Sequence, residues 1–411
     1  MNILFITNKF ITGGAERYIL KKASALIAEG HRALIISAGG EYTTRLLDLN
    51  IPFVDIPGLD KNINLLSHSE ILFITAKVGS AILSHKIDII EIDSPVVLEV
   101  GIAAAFACKI PFLLNIFHEY SFGSKHDIRL LEVLSRSGLL FFLSESIGDI
   151  ISSRTGADLK DARVLPIVLD PYEFNSDDPP LEISDDLFVF VAIARLTKDK
   201  AYIDVLLDEY CQFVNRAGAK KTRLFIVGDG PFFDRYHRKS QRINKRIRKN
   251  DNLIIMMGNR TDISAFYRRA DVYVGMGTTA LEAAFFKTPV IVASFHPYHT
   301  SSIGYFSRIV YESVGEVVPS RVSFTSYSDM MFELYKNQKL REDLSDNGYK
   351  KICDMYLAEI VMKKWIVAYN DILLDKQHIL SLDLDDMIYF RDSKRLRIKK
   401  FLQSLTRLAQ L

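Results

Sequence analysis

Between Asp271 and Glu282, residue types that suit a buried strand give way to two glycines and then to helix formers. Val272 to Val274 read as a short strand. Gly275 and Gly277 permit a tight turn and a close backbone approach, and Thr278, Thr279 and Glu282 open a helix. A helix start leaves N–H groups unpaired at the positive end of its dipole, so a phosphate gains about 0.3–1 kcal/mol there, and up to roughly 2 when partly buried. Glu282 lies one turn further in, where a carboxylate could accept hydrogen bonds from a ribose diol. The spacing from Thr279 to Glu282 fits a capping box equally well, and a capping box stabilises a helix and binds nothing.

A second group follows another strand directly: Arg195, Lys198 and Lys200 put three cations into one loop. Arg195 could grip phosphate oxygens in bidentate fashion while Lys200 adds a point charge, as a diphosphate leaving group would require. Three ordinary charges on a solvated loop would leave the same pattern. Gly228, Asp229, Gly230 and Pro231 mark a glycine turn after the strand Leu224 to Val227, and Gly13 and Gly14 form a glycine pair at a helix start before Glu16. Such a pair lets a phosphate or sugar approach the backbone, yet it matches neither the dinucleotide fingerprint nor the P-loop. His118 sits just after a strand, where a side chain either points at a ligand or serves as a structural hydrogen-bonding residue. Asp383, Asp385 and Asp386 lie far from any strand end and read as solvated charge.

The elements that must position these residues alternate. Strands at Asn2–Thr7, His31–Ser37, Pro52–Ile56, Asp88–Ile92, Phe112–Phe117, Leu139–Leu143 and Arg163–Leu165 are separated by helical stretches. Among the latter, Tyr18, Ile19, Ala23, Leu26 and Ile27 recur at helical spacing and stop at Gly30. A second series runs through Leu187–Ile193, Thr222–Val227, Leu253–Met256, Val272–Val274 and Pro289–Ala293, with helices from about Tyr327 to Tyr369. Such alternation implies right-handed crossovers and parallel sheets, so the expected class is α/β with two Rossmann-like domains facing one cleft. The expected division is an N-terminal domain over 1–175, an acid- and proline-rich linker over 176–186 and a C-terminal domain over 187–355. A helix over 356–375 should pack back on the first domain, ahead of a basic amphipathic tail over 376–411.

At 411 residues, 48% hydrophobic and 25% charged, the chain is long enough for two separate cores. Fifty-two Lys and Arg against fifty Asp and Glu leave a net charge near +2, which argues against general affinity for nucleic acid. Cys108, Cys211 and Cys353 share no close spacing, so no disulfide framework or metal site is expected, and reduced thiols in a cytoplasmic protein are. The opening residues read as a strand rather than a signal peptide. Glu99, Lys109 and Pro111 interrupt the most apolar window, Val96 to Phe117, so it reads as a helix and a strand rather than a membrane span. Two basic stretches remain. Arg235 to Lys249 carries eight cations and reads as a surface helix. Arg391 to Leu411 sets Ile398, Phe401, Leu402, Leu405 and Leu408 on one face, suited either to an anionic membrane surface or to packing against a partner.

Taken in order, these features resemble the retaining nucleotide-sugar glycosyltransferases of family 4, which have the GT-B fold. The likeness spans roughly residues 1 to 375. It rests on Gly13, Gly14, Ala15 and Glu16; His118; Pro166 with Asp170 and Phe174; Arg195 and Lys200; Gly228 to Pro231; Gly258 with Asp262 and Tyr267; and Gly275 to Glu282 with Pro289. The resemblance implies a sugar moved from a nucleoside-diphosphate donor to a glycan or lipid-linked acceptor, in cell-surface polysaccharide biosynthesis, with no metal or other cofactor. It assigns Arg195 and Lys200 to the donor diphosphate, Glu282 to the ribose, Gly14 to the phosphate or acceptor and His118 to the donor sugar. With them, Gly13, Gly228, Gly275, Gly277, Thr278 and Thr279 complete the donor-binding set. The sequence departs from the family pattern in three places. Val274 stands eight positions before Glu282, where the family usually has a first glutamate; Ala194 and Ala201 stand where glycines are common; and Ile167 and Val168 replace a common Asn-Gly. The first departure leaves two other readings open: a catalytically silent GT-B binding subunit, and a sugar-nucleotide epimerase of the same architecture.

Overall fold

The computed structural model describes the chain except residues 12, 63–64, 119, 121, 123, 172–173, 175–179, 220, 248–252, 295–300, 310–313, 315–321, 384–386 and 388–411. The basic tail from Arg391 on, Asp385 and Asp386, and the start of the expected linker, residues 176–179, therefore lie outside the described residues. Contacts divide the chain into two units, one made of Met1–Val168 with the residues from Ala358 on, the other of Leu169–Leu357.

The first unit is built from β1 (Asn2–Ile6), α1 (Gly14–Ala28), β2 (Arg32–Ser37), α2 (Thr43–Asp48), β3 (Phe53–Asp55), α3 (His68–Ser84), β4 (Ile89–Ile92), α4 (Leu98–Cys108), β5 (Phe112–Ile116), α5 (Lys125–Arg136), β6 (Leu140–Phe142), α6 (Glu145–Thr155) and β7 (Arg163–Val164). Its seven strands run in the order β3-β2-β1-β4-β5-β6-β7, all parallel. Ile3, Leu4, Phe5 and Ile6 are buried without alternation, as a strand covered by helices on both faces must be. Capping boxes start two of the helices, Ser67 with Glu70 at α3 and Ser124 with Asp127 at α5. Ser124 and Asp127, three residues apart, are the local sign of where α5 starts.

The second unit contains β8 (Phe188–Ile193), α7 (Tyr202–Ala217), β9 (Thr222–Val227), α8 (Phe233–Ile247), β10 (Ile254–Gly258), α9 (Ile263–Arg269), β11 (Val272–Gly275), α10 (Thr278–Phe285), β12 (Val290–Ala293), β13 (Ser302–Tyr305), α11 (Tyr327–Lys336) and α12 (Gln338–Met355). The sheet order is β10-β9-β8-β11-β12-β13, parallel except for β13, which returns antiparallel along β12. The basic helix α8 buries Tyr236, Ser240 and Ile243, while Arg235 and Lys239 pair with Asp204 of α7 and Lys239 also with Asp208.

Two helices complete the first unit, α13 (Ala358–Leu374) and α14 (Lys376–Ser381). The division falls earlier than composition indicates. Leu169 donates to the Tyr356 carbonyl at 2.8 Å and bridges to Leu357, so the chain is committed to the second unit before the acid- and proline-rich stretch begins.

What α13 packs on is polar. Lys22, wholly buried on α1, donates to both carboxylate oxygens of Glu91 on β4, each at 2.7 Å. Glu91 also accepts from Asn115 at 2.9 Å and from the hydroxyl of Tyr369 on α13. Trp365 of α13 lies against the Lys22 ammonium and donates from Nε1 to the Tyr18 hydroxyl at 3.1 Å. Burial lowers the Lys22 ammonium to about 8, against the opposing pull of Glu91 and Asp93. A pair of this kind is costly to break singly and cheap to replace whole, because one survivor is left charged in an apolar interior.

Glu91→Gln should therefore lower unfolding stability by about 3–5 kcal/mol, and Lys22→Met with Glu91→Leu by much less than the single change. Urea denaturation of the three proteins checks this; a double variant as unstable as Glu91→Gln would contradict it.

Candidate functional site

In each sheet the strand order reverses between two neighbours, and both reversals have sequence-predicted residues at their carboxyl ends. In the second unit the neighbours are β8 and β11, with β9 and β10 on one side and β12 on the other. Loops leaving the two central strands diverge there, which is where open α/β sheets bind ligands.

The loop after β8 carries Arg195 and Lys200. Its backbone extends the sheet: Ala194 donates to the Val227 carbonyl at 3.0 Å, and Leu196 to that of Asp229 at 2.8 Å. Gly228 makes this fit possible. It has φ 130°, and a Cβ on it would come within 2.0 Å of the Ala194 carbonyl oxygen. Arg195 is exposed and Lys200 half-buried, with its ammonium 3.7 Å from Asp199. Burial favours the neutral form of Asp199, but the Thr197 hydroxyl and the charges of Lys200 and Arg195 outweigh it and hold the carboxyl below its usual value. The loop thus contains a carboxylate that a count of its cations leaves out.

The connection after β11 is two residues long, Met276 and Gly277, before α10 begins at Thr278. Gly277 is the N-cap, with φ 68° and ψ −150°, and no side chain caps the helix. The capping-box reading of Thr279 and Glu282 is therefore incorrect. The Thr279 hydroxyl turns back to the carbonyls of Met276, at 3.0 Å, and Ile193, at 3.3 Å. Tyr273 reaches the Ile193 carbonyl as well, its hydroxyl 3.2 Å away, across the space that the missing side chain of Gly275 leaves open. The N–H groups of Thr278 and Thr279 have no acceptor among the described residues. One turn on, Glu282 is 8% exposed and accepts from the Tyr267 hydroxyl at 2.7 Å.

These contacts bring Arg195, Lys200, Gly228, Gly275, Gly277, Thr278, Thr279 and Glu282 to one edge of the second unit, linked through the carbonyl of Ile193. Val274 does not stand in that group. It is buried within β11, and the short connection leaves the β11–α10 turn without an acidic side chain.

His118, Gly13 and Gly14 belong to the first unit, whose reversal lies between β1 and β4. Gly13 is the N-cap of α1 in extended conformation, and a Cβ on Gly14 would meet nothing within 4 Å. His118 is exposed after β5, its ring against that of Tyr120 with centroids 3.9 Å apart. At the end of β4 stands a residue that sequence reading missed. Asp93 is 2% exposed, its N–H donates to the Ile6 carbonyl at 3.0 Å, and neither carboxylate oxygen has a hydrogen-bond partner among the described residues. Burial, then the Glu91 charge, push its carboxyl well above the usual value, against the pull of Lys22. The only local signal is a second acid two positions after Glu91 in an otherwise apolar strand.

Gly228→Ala should cost about 1–3 kcal/mol, the scale of a forced backbone conformation, whereas Gly14→Ala should stay within about 0.5 kcal/mol of the parent. Thermal unfolding of both variants checks the contrast, and equal melting temperatures would contradict it. Asp93 holds its proton in the folded state at pH values where the unfolded chain has lost it. Its contribution therefore falls as pH rises from about 4, the ordinary carboxylate range, towards the raised value. Asp93→Asn, which cannot titrate, should flatten that decline; denaturation midpoints followed against pH test it, and parallel curves for parent and variant would rule it out.

Comparison with known proteins sets this geometry in context. Residues 173–351 match the family described as glycosyl transferases group 1. A capsular polysaccharide biosynthesis glycosyltransferase, CapM of Staphylococcus aureus, is 22% identical over 216 residues, 50% of this chain, and the matched stretch spans about half (53%) of that relative's length. Among solved structures, a glycosyltransferase from Rickettsia africae superposes with a TM-score of 0.69 at 16% identity, covering 90% of this chain and 98% of the other. HepE of Anabaena, solved in complex with UDP, superposes with a TM-score of 0.68 at 18% identity, covering 90% and 100%. The same protein has been solved with UDP-glucose. Residues 173–351 thus match the glycosyl transferases group 1 family, in a chain whose two mainly parallel sheets have the fold of the GT-B glycosyltransferases.

Proposed function

We propose that this protein transfers a sugar from a nucleoside-diphosphate donor to a glycan or lipid-linked acceptor, with retention of anomeric configuration, in the biosynthesis of a cell-surface polysaccharide. The observation that carries this reading is the start of α10, without a side-chain cap and with two N–H groups that have no acceptor among the described residues, on the same sheet edge as Arg195 and Lys200. Negative charge develops on the diphosphate as the glycosidic C–O bond breaks, and fixed donors aimed at that charge lower the barrier without reorganising. The backbone N–H groups of Thr278 and Thr279 receive phosphate oxygens. Arg195 adds a guanidinium that matches them in pairs, and Lys200 adds a point charge that must first be drawn from Asp199. Glu282 takes the ribose hydroxyls. HepE, of the same fold, has been solved with UDP and with UDP-glucose, which supports a nucleotide-sugar donor here. On the first unit the resemblance assigns His118 to the donor sugar and the pair Gly13 and Gly14 to the phosphate or acceptor; His118 and Gly14 are exposed, and space is open beside Gly14, whereas a Cβ on half-buried Gly13 would meet Glu16.

The second reading, a binding subunit without turnover, draws on one observation: Val274, at the position where the family usually has its first glutamate, is a buried apolar residue of β11. Incubating the purified protein with a panel of nucleotide sugars separates the two readings. Transfer or slow donor hydrolysis supports the enzyme; a raised melting temperature with the donor intact supports the binding subunit, since a ligand at 100 times its Kd adds about 2.7 kcal/mol of stability.

Arg195→Ala should lower kcat/KM by on the order of 2–4 kcal/mol, about 30- to 1000-fold, with the melting temperature of the free protein unchanged. Steady-state kinetics on the best donor checks this. Turnover equal to that of the parent would remove Arg195 from the site.

A further inference from the structure

Glu282 is an unusual carboxylate. It is 8% exposed, pairs with no cation among the described residues and accepts one hydrogen bond, from the Tyr267 hydroxyl to Oε2 at 2.7 Å. Its Oε1 has no donor among the described residues. A carboxylate on a flexible side chain, one helical turn from the start of α10, could rotate among several positions; among the described residues this one is held by a single phenol.

That phenol is itself immobile. Tyr267 is wholly buried near the end of α9, its ring stacked on Phe286 with centroids 5.7 Å apart and 18° between planes. The edge of a second ring, Tyr273, meets it at 5.6 Å and 61°. Its backbone carbonyl accepts from the Thr288 hydroxyl at 2.8 Å. Tyr273 in turn binds the Ile193 carbonyl, so Tyr267 belongs to the same braced group that carries the cationic loop. Burial, and next the Glu282 charge beside it, push the Tyr267 phenol well above its ordinary value, so it remains a donor throughout the neutral range.

We propose that Tyr267 is the positioning residue that turns Glu282 into a reader of the nucleotide's ribose, fixing Oε2 so that Oε1 alone faces the two sugar hydroxyls. The inference rests on the function proposed above and adds what that reading lacks, a reason for the site to prefer ribonucleotides to their deoxy counterparts. A carboxylate anchored at one oxygen presents the other in one direction, so its pairing with the ligand has little side-chain entropy left to lose. Released from the phenol, it would share its time among rotamers and water, and hydroxyl recognition would fade while phosphate recognition stayed.

The test is a ratio of affinities. Calorimetry with the full-length protein would compare uridine and guanosine diphosphates with their 2′,3′-dideoxy forms, in the parent and in Tyr267→Phe, which keeps the ring and removes only the hydroxyl. The parent should prefer the ribonucleotide by about tenfold or more, the scale of a hydrogen bond to a charged group. Tyr267→Phe should bring the ratio close to one through weaker ribonucleotide binding, with the dideoxy affinity unchanged. Glu282→Asp, one methylene shorter and withdrawn from the phenol, should lose the preference in the same way, and it keeps the test open if Tyr267→Phe does not fold. A merely structural tyrosine would lower the melting temperature and leave the ratio intact, and that result in either variant overturns the inference. A parent protein that binds neither diphosphate would bring down the proposed function, and this inference with it.

Discussion

Parallel pairing of β8 with β11 is the constraint on which the second unit's site depends. Phe190 stands against Val272 and Val191 against Tyr273, so the strands that precede the cationic loop and α10 run side by side and end together. Their loops leave in different directions because β9 and β12 lie on opposite sides of the pair. The carbonyl of Ile193, at the end of β8, then receives two hydroxyls, from Tyr273 of β11 and from Thr279 of α10. One oxygen thus fixes the start of α10 relative to Arg195, and the two-residue connection gives the helix little freedom to drift. Each neutral hydrogen bond contributes only about 0.5–1.5 kcal/mol net, but both act on the same degree of freedom, the position of the helix end.

The first unit meets the same topological problem with different chemistry. At its reversal the strand ends are braced by charge: Glu91, Asp93 and Lys22 share one buried region, two carboxylates against one ammonium. Glu91 takes the lysine, an amide donor and a phenol, and no donor is left for Asp93 among the described residues. A second buried negative charge would be poorly compensated, so the acid that lacks partners is the one that keeps its proton. The same network fastens α13, through Trp365 and Tyr369, to α1 and β4, contributed by the other end of the chain. Hydrophobic burial would hold the helix as well. Directional polar contacts additionally set its rotation, since Tyr369 reaches Glu91 only from one face.

How far this was legible from sequence depended on whether a feature was local. The parallel alternation was, because buried strands such as Ile3 to Ile6 and Val189 to Ile193 are continuous apolar runs set between helical periods. The glycine turns were also, since a positive φ or a close carbonyl leaves few other choices, as at Gly228 and Gly277. What failed needed the third dimension. Thr279 and Glu282 have the spacing of a capping box, but the hydroxyl and the carboxylate each found a partner on a different element, Ile193 and Tyr267. Lys22 lies between apolar positions of α1 and would ordinarily be assigned to the solvent face; only Glu91, 69 residues away, makes its burial tolerable. Val274, eight positions before Glu282, falls inside β11 and is buried there, a placement that spacing alone does not show. The antiparallel return of β13 had no signal in a series of parallel crossovers.

The contrast between the cations and the helix end bears on how such a site would work. Arg195 is exposed, and Lys200 shares its charge with Asp199 at 3.7 Å. Two unit charges 4 Å apart gain about 1 kcal/mol in bulk water but about 4 at the effective dielectric of a protein surface. The contribution of these side chains therefore depends on how much water a bound ligand displaces. The N–H groups of Thr278 and Thr279 differ, because the strand, the glycine N-cap and the Ile193 carbonyl hold them in place whether or not a ligand is present. In such a site the fixed backbone donors would set where an anion sits, and the side-chain cations how tightly it is held once water has left. A site divided in this way would discriminate by geometry first and by charge second, so an anion of the wrong shape would gain little from Arg195 and Lys200, however negative it is.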